Sequence, residues 1–371
     1  MPSATLLEPS LTERTFILQT LSVSNLRLDG RSPAKTRPLS IKFSPDPDQV
    51  GWAHVSLGAT QAIAQVSAQL GPPRDDRPKE GVLVIQSEIN PIAGQEYEVG
   101  RQSAAEIVFE QRLDKAIRRT ECVDREALCV IAGKKVWTVR VTVHVLADTG
   151  SILDCAVLAS IAALRHFRRP DVAVLDADTV HIFPLSERVG LPLAMQHSPA
   201  SVSLAFFDLG TAEAKAAVDA MRGITVASAA ASAVAKREGR GRGDGDGEDE
   251  EGEGDDDEGE GDDGGVREDT FATGGPTTTT ASYPTEGLQQ SRIVCLADPS
   301  TIEEQLCSSS LVFVLNAQRE ICVLDKAGGE PLPADVILAS LRQAVGLVTE
   351  WSRAVDEALR RDAETRVQGV Y

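Results

Sequence analysis

Two acidic residues in the second half of the sequence could, read alone, make a catalytic pair. Asp298 and Glu304 lie six residues apart, and paired carboxyl groups can act as general acid, general base or metal ligand. The same segment also fits a structural role. Asp298 precedes a proline, which favours a turn, and Ser300 followed by Glu303 has the spacing of a capping box for a short helix. We expect capping, with catalysis by the pair as the alternative.

A group of basic residues forms a second candidate site. The sequence from Gln102 to Thr120 has helical periodicity, and helical spacing places three of its basic side chains on one face. With the arginine that precedes the helix, they make up the predicted RNA-binding set: Arg101, Arg112, Lys115 and Arg119. Such side chains contact phosphate groups without reading bases. A solvated helix face with surface ion pairs explains the same pattern equally well.

The other reactive residue types show no arrangement typical of a catalytic or metal site. The five histidines are scattered, with no nucleophilic serine or cysteine motif nearby. The sequence has neither a P-loop nor a GxGxxG turn at a strand end. The six cysteines form no CxxC pair and have no histidine at zinc-finger spacing. We therefore predict no cofactor and no metal, and reduced cysteines in an intracellular protein.

Charge is distributed unevenly along the 371 residues. The whole chain has a net charge of −19, of which residues 236–269 carry −12, leaving only −7 for the remainder. The acidic run has almost no apolar residue to bury, so residues 209–290 are predicted to be a disordered acidic insertion. No stretch of about 18 uncharged apolar residues is present, which argues against a membrane span. The first residues also lack a secretory signal pattern.

Periodicity of apolar residues predicts an α+β protein. Strands are expected at 38–43, 52–58, 62–70, 82–89 and 136–146, followed by an alanine-rich helix at 152–167. After strands at 202–207 and 292–297 come a short helix at 301–307, a hairpin at 311–324 and a long helix at 333–361. The predicted segments are a leader 1–25, a first part 26–208, the insertion 209–290, a continuation 291–350 and a C-terminal helical extension 351–371. The insertion separates two strands, which favours one domain with a long loop.

Five local patterns in unbroken order resemble RNase PH-like subunits of the RNA exosome. They are Leu26-Arg-Leu-Asp-Gly-Arg31, Gly100-Arg-Gln-Ser103, Cys129-Val-Ile-Ala-Gly-Lys-Lys-Val-Trp137, His166-Phe-Arg-Arg-Pro-Asp171 and Asp298-Pro-Ser-Thr-Ile-Glu-Glu304. The resemblance implies an RNase PH-like fold of two β-α-β-like halves, in a hexameric ring around a central RNA channel. In relatives, the region equivalent to Arg101 and Arg112 reaches toward that channel. The acidic insertion departs from the family pattern.

The resemblance also implies where phosphate would bind in an active enzyme. Active relatives cleave RNA by phosphorolysis, and a Gly-Gly-Thr-Arg-Thr-like turn before the alanine-rich helix supplies an arginine and a helix N-terminus for the phosphate ion. The corresponding turn here retains Ser151, but Ile152 occupies the arginine position and Asp154 is expected to add a negative charge where phosphate would lie. Ser151, Ile152 and Asp154 therefore form a predicted degenerate phosphate site.

These observations together predict a non-catalytic structural subunit of the RNA exosome ring, which supports 3′–5′ RNA processing by helping to assemble the ring and contact RNA. The alternative is an active phosphate-dependent 3′–5′ exoribonuclease. The partners implied by the resemblance are other RNase PH-like ring subunits, RNA-binding cap subunits and RNA, with no membrane. The implied localisation is the nucleus and nucleolus, and also the cytoplasm.

Overall fold

The computed structural model describes residues 9–46, 49–94, 97, 103–176, 179–211 and 293–366. The predicted acidic insertion lies outside the described residues, apart from residues 209–211. Arg101, the first of the predicted RNA contacts, also lies outside them.

A six-stranded sheet forms the first half of the molecule. Its strands are β1 Leu39–Phe43, β2 Trp52–Leu57, β3 Thr60–Gly71, β4 Val82–Ile89, β5 Cys129–Ile131 and β6 Lys135–Ala147. Their order is β1-β2-β3-β6-β4, with β5 paired to β6, and β4 runs parallel to β6. The alternation predicted for residues 136–146 is confirmed, because Val139, Val141 and Val143 are buried while Arg140 is exposed.

A four-stranded antiparallel sheet forms the second half. Between the two sheets the chain makes two short strand pairs, from β7 Arg168–Arg169, β8 Val172–Val174, β9 Val180–Ile182 and β10 Leu191–Pro192. The second sheet contains β11 Ala200–Asp208, β12 Ile293–Ala297, β13 Ser309–Leu315 and β14 Ile321–Lys326, in the order β12-β11-β13-β14. Asp208 pairs with Ile293, so the chain leaves and re-enters this sheet at neighbouring positions.

One helix joins the two sheets into a common core. The helices are α1 Leu11–Val23, α2 Ala104–Ile117, α3 Ile152–His166, α4 Thr301–Leu306 and α5 Ala334–Thr365. Helix α3 contacts β2 and β3 of the first sheet and β11 of the second. All of its residues except Ile152 and Arg165 are buried, as expected for a helix that is apolar all round. Its alanines allow this close packing, and the predicted α+β class is confirmed.

The two terminal helices pack on this core. Ile17 and Leu21 of α1 lie against Phe207 and Leu296 of the second sheet, so the predicted leader contributes to the fold. Helix α5 continues through residue 351, where the sequence suggested a boundary, and Val355 beyond that point is buried. Within the described part of the chain, no helix combines the length and hydropathy needed to cross a membrane.

Candidate functional site

The turn before α3 lies directly against the second half of the protein. Gly150 has a φ of 102°, and a Cβ atom there would overlap the carbonyl oxygen of Pro299. Only glycine suits such a close approach in this backbone conformation. The next residue, Ser151, also has a positive φ of 51°. The start of α3 and the segment that leads into α4 therefore form one junction.

Protein groups already bind the hydrogen-bond donors of this turn. The backbone N–H of Ser151 donates to Glu304 Oε1 at 2.8 Å, and the Ser151 hydroxyl donates to the carbonyl oxygen of Pro299 at 3.1 Å. The N–H of Gly150 donates to Asp148 Oδ1 at 3.0 Å. A phosphate ion would have to displace these partners, so the predicted phosphate site is filled from within the chain.

Glu304 places a carboxyl group at the position where an anion would bind. Although much of the residue is exposed, its carboxyl group faces Asp148 and the start of α3. Burial of this carboxyl group raises the pKa of Glu304 to about 7; the Ser151 N–H opposes the rise and Asp148 adds to it. A second anion at this point would meet two carboxyl groups, which makes phosphate binding unfavourable.

The expected role of Asp154 is wrong. Its side chain does not contribute charge to the open side of the turn but is completely buried between α3 and β11. Its oxygens accept hydrogen bonds from the backbone N–H of Ser203 at 2.7 Å and the Ser203 hydroxyl at 3.0 Å. Burial raises the pKa of Asp154 to about 8, although the hydrogen bonds from Ser203 lower it. The group is therefore mostly uncharged at neutral pH. Ile152, in contrast, packs against the core at the predicted position.

Asp298, one of the two candidate catalytic acids, is bound by two arginines. It is fully buried and has a φ of 53°. Arg31 Nη1 donates to Asp298 Oδ2 at 3.0 Å. Arg37 donates to the same carboxylate through its backbone N–H, at 2.8 Å, and through its guanidinium. Two further Arg37 bonds reach the turn before α3, at Thr149 Oγ1 and the carbonyl oxygen of Gly150.

A third arginine extends this network to α4. Arg27 is bidentate to Glu303 and also donates to the carbonyl oxygens of Ala297 and Asp298. We call the five residues the inter-half clamp: Arg27, Arg31, Arg37, Asp298 and Glu303. The predicted capping box of Ser300 and Glu303 is confirmed. Because Asp298 is enclosed by guanidinium groups, it has no position from which to protonate a substrate.

The predicted basic face of α2 is a real surface feature. Arg112, Lys115 and Arg119 line one cleft of ≈ 370 Å³, as helical spacing predicts. Arg112 Nε lies 2.9 Å from Asp325 Oδ2, and Lys115 Nζ lies 3.9 Å from the other oxygen of this carboxylate. Arg119 is 69% exposed and lies 3.8 Å from Asp114. Asp325 belongs to β14, so these ion pairs also tie α2 to the second sheet. RNA binding by this face remains a prediction.

Sequence reasoning missed the inter-half clamp. Arg27 and Glu303 are separated by 276 positions, and no local spacing connects them. The available sequence signals were two: the high density of arginines between residues 27 and 37, and the acidic residues of the predicted helix start at 298–304. Among the residues that the structure describes, no group of three or more histidine, cysteine, aspartate or glutamate side chains is arranged to hold a metal ion.

Comparison with known proteins identifies the fold family. Models of the 3′ exoribonuclease family match this chain at residues 35–170 for domain 1 and 289–346 for domain 2. The chain therefore belongs to the 3′ exoribonuclease, or RNase PH, family.

Within that family the chain is similar to exosome complex component RRP45. It is 31% identical to the Danio rerio protein of that name over 96% of this chain and 69% of the relative. It is 29% identical to the Schizosaccharomyces pombe protein, over 96% of this chain and 92% of the relative. A solved chain of the Archaeoglobus fulgidus exosome with RNA bound to the active site superposes with a TM-score of 0.58 at 21% identity, covering 92% of this chain and 97% of that one. This last likeness establishes the fold alone.

Proposed function

We propose that this chain is a non-catalytic structural subunit of an RNA exosome ring, supporting 3′–5′ RNA processing through assembly and RNA contact. The observation that carries the proposal is the turn before α3. The Ser151 N–H is bound by Glu304 rather than left open for phosphate. The resemblance to active relatives also implies that Ile152 occupies the position of their arginine. Phosphorolysis requires a bound phosphate ion as nucleophile, so a chain with a filled site lacks the first requirement of that reaction.

The similarity to RRP45 proteins supports the assignment to an exosome. Those relatives carry the name of an exosome complex component, and the same fold is found in an archaeal exosome. The sequence alternative, an active phosphate-dependent exoribonuclease, is not favoured. Both of its candidate acids have structural partners, since Asp298 binds Arg31 and Arg37 and Glu304 binds the start of α3.

In the proposed assembly, other RNase PH-like subunits flank this chain and RNA-binding cap subunits sit on the ring. Arg112, Lys115 and Arg119 provide the RNA contact, because all three open onto one cleft on the same surface. A ring with this role acts in the nucleus and nucleolus, and also in the cytoplasm. These partners and locations follow from the family and are part of the proposal.

The test is purification of the tagged chain from its own cells under native conditions, followed by native mass spectrometry. We expect one copy of this chain with several different RNase PH-like chains. A ring built from this chain alone would contradict the proposal. A second assay would incubate the isolated chain with single-stranded RNA and inorganic phosphate. We expect no release of nucleoside diphosphate. Its release would instead favour the alternative, an active phosphate-dependent exoribonuclease.

A further inference from the structure

A second charged cleft lies between the end of α3 and the C-terminal part of α5. Its volume is ≈ 600 Å³, and four arginines line it together with one histidine and one aspartate. The charged lining residues are Arg165, His166, Arg168, Arg360, Asp362 and Arg366. We call this feature the arginine cleft. It is separate from the basic face of α2 and from the turn before α3.

His166 presents a buried donor in this cleft. The residue is 5% exposed, and its Nδ1 accepts the N–H of Gly51 at 3.1 Å. In the neutral ring the proton therefore resides on Nε2. Nε2 lies 3.2 Å from Asp362 Oδ2, but within the described residues it has no well-aligned hydrogen bond. Burial lowers the pKa of His166, against the opposing effect of Asp362, and so keeps the ring neutral.

Arg168 is a half-buried cation that has no carboxylate partner in the described part of the chain. Its Nη1 donates to the carbonyl oxygens of Arg165 at 2.9 Å and Phe167 at 3.0 Å, which caps the end of α3. Among the described residues, no carboxylate oxygen lies within 4.0 Å of this guanidinium. Burial lowers the pKa of Arg168, although Asp362 opposes the effect. The cost of burying this charge is therefore not offset by an ion pair with any residue that the structure describes.

The other arginines of the cleft have partners on α5. Arg165 pairs with Asp356, and Arg366 pairs with Asp362. Arg360 pairs with Glu357 and Glu364, which do not line the cleft. These outer carboxylates would repel a long polyanion running across the rim, but not a compact anion held inside. The distribution of charge favours a small ligand over an RNA strand.

We propose that the arginine cleft binds a small, multiply charged phosphate ligand, with Arg168 and the Nε2–H of His166 as interior donors and Arg165 at the edge. A guanidinium group can donate two parallel hydrogen bonds to the oxygens of one phosphate group. The cleft is larger than one phosphate ion needs, and its volume falls in the usual range for small-molecule sites, about 300–1,000 Å³. The bound ligand would link α3 to α5 and fix the end of the long helix on the core.

The test uses the full chain and inorganic tripolyphosphate as the probe, with binding measured by calorimetry and thermal unfolding at constant ionic strength. We expect saturable binding of one tripolyphosphate per chain, a raised melting temperature and much weaker binding of sulfate. Arg168→Gln and Arg165→Gln should each weaken binding about tenfold or more, since each removes a charge-assisted contact. Should Arg168→Gln fail to fold because α3 loses its cap, Arg165→Gln still tests the site, since the Arg165 side chain pairs with Asp356 and does not cap the helix.

Arg188→Gln provides the matched control. Arg188 is an exposed arginine that pairs with Asp171 outside the cleft, so its removal should leave tripolyphosphate binding unchanged. The proposal is overturned if the wild-type chain shows no saturable binding or if Arg188→Gln weakens binding as much as the cleft variants. It is also overturned if a single-stranded RNA binds through Arg165 while tripolyphosphate does not compete, because the cleft would then be an RNA contact.

Discussion

A cluster of charged side chains lies beside each end of α3: the inter-half clamp at its N-terminal end and the arginine cleft at its C-terminal end. The two clusters differ in how many of their arginines have a carboxylate partner. At the N-terminal end, each arginine of the inter-half clamp has a carboxylate partner, with Arg27 on Glu303 and both Arg31 and Arg37 on Asp298. At the C-terminal end, Arg168 caps carbonyl oxygens and has no carboxylate partner in the described part of the chain. Arginines therefore form ion pairs beside the start of α3, whereas Arg168 caps the carbonyl oxygens at its end.

This difference separates a structural cluster from one that can take a ligand. Buried charges are costly unless they are paired and hydrogen-bonded. Where the chain supplies every partner, as around Asp298, the cluster stabilises the junction and excludes outside ions. Where a half-buried cation has no carboxylate partner among the described residues, as at Arg168, an external anion can supply one. Four experiments test this distinction.

The largest effect is expected from Asp298→Ala. The substitution removes the fully buried carboxylate that Arg31 and Arg37 share, and the side chain of each arginine is only 11% exposed. Breaking a buried ion pair by removing one partner typically costs about 3–5 kcal/mol. Urea unfolding of the purified chain measures the change. Asp29→Ala is the control, because Asp29 pairs with the same Arg31 but is 46% exposed and should cost under about 1 kcal/mol. Equal losses in the two variants would show that the clamp contributes no more than a surface ion pair.

A pH-dependent effect is expected from Asp154→Asn. The pKa of Asp154 rises from 3.8 to about 8 on folding, so the unfolded chain ionises this group at a pH where the folded chain does not. The free energy of unfolding therefore falls as pH rises through this interval, by about 1.4 kcal/mol per unit at most. The amide oxygen of asparagine can accept the Ser203 N–H, its NH₂ can donate to the Ser203 hydroxyl, and the side chain does not titrate. The stability of the variant should therefore fall less steeply with pH than that of the wild type.

Urea unfolding between pH 5 and pH 8 compares these slopes. The exposed Asp75→Asn should follow the wild-type chain, and Glu304 titrates alike in all three proteins and cancels from the comparison. Parallel curves for Asp154→Asn and the wild type would mean that Asp154 is ionised in the folded protein.

A smaller effect is expected at the basic face of α2. Asp325 Oδ2 lies 2.9 Å from Arg112 Nε and forms an ion pair with it. Because Asp325→Ala removes this ion pair and leaves Arg112 available for a phosphate group, the variant should bind single-stranded RNA a few-fold more tightly. Arg112→Ala should lower the affinity and reduce the slope of log K against log salt by about 0.7, the value for one phosphate contact on a single strand. Fluorescence anisotropy with labelled RNA measures both. Unchanged binding in both variants would assign these residues only to the attachment of α2 to β14.

No effect is expected from Ile152→Arg alone. The variant adds a cation at the start of α3, but the Ser151 N–H stays bound to Glu304 and the Gly150 N–H to Asp148. Calorimetry with inorganic phosphate should therefore give no saturable signal. Phosphate binding by this variant would show that one missing cation, rather than the internal pairing of the turn, closes the site.

The strands and helices were predictable because their signals are local. Alternating valines predicted β6, and the apolar stretch after Gly150 predicted α3, since burial follows the period of each element. The orientation of Asp154 was not predictable in this way. Its position in the first turn of α3 suggested a negative charge where phosphate would lie, whereas its hydrogen-bond partner, Ser203, comes from a strand 49 positions later. The short strand pairs between residues 168 and 192 were also missed, because two- and three-residue strands have no measurable period.

The pairing of Asp208 with Ile293 bears on how this protein can change in length. The two strands, β11 and β12, take their register from each other, and β11 also takes its register from β13. The free-energy cost of closing a loop, which is entropic, rises by only about 0.6 kcal/mol for each doubling of its length. Residues can therefore be gained or lost between these two positions over evolution at little thermodynamic cost.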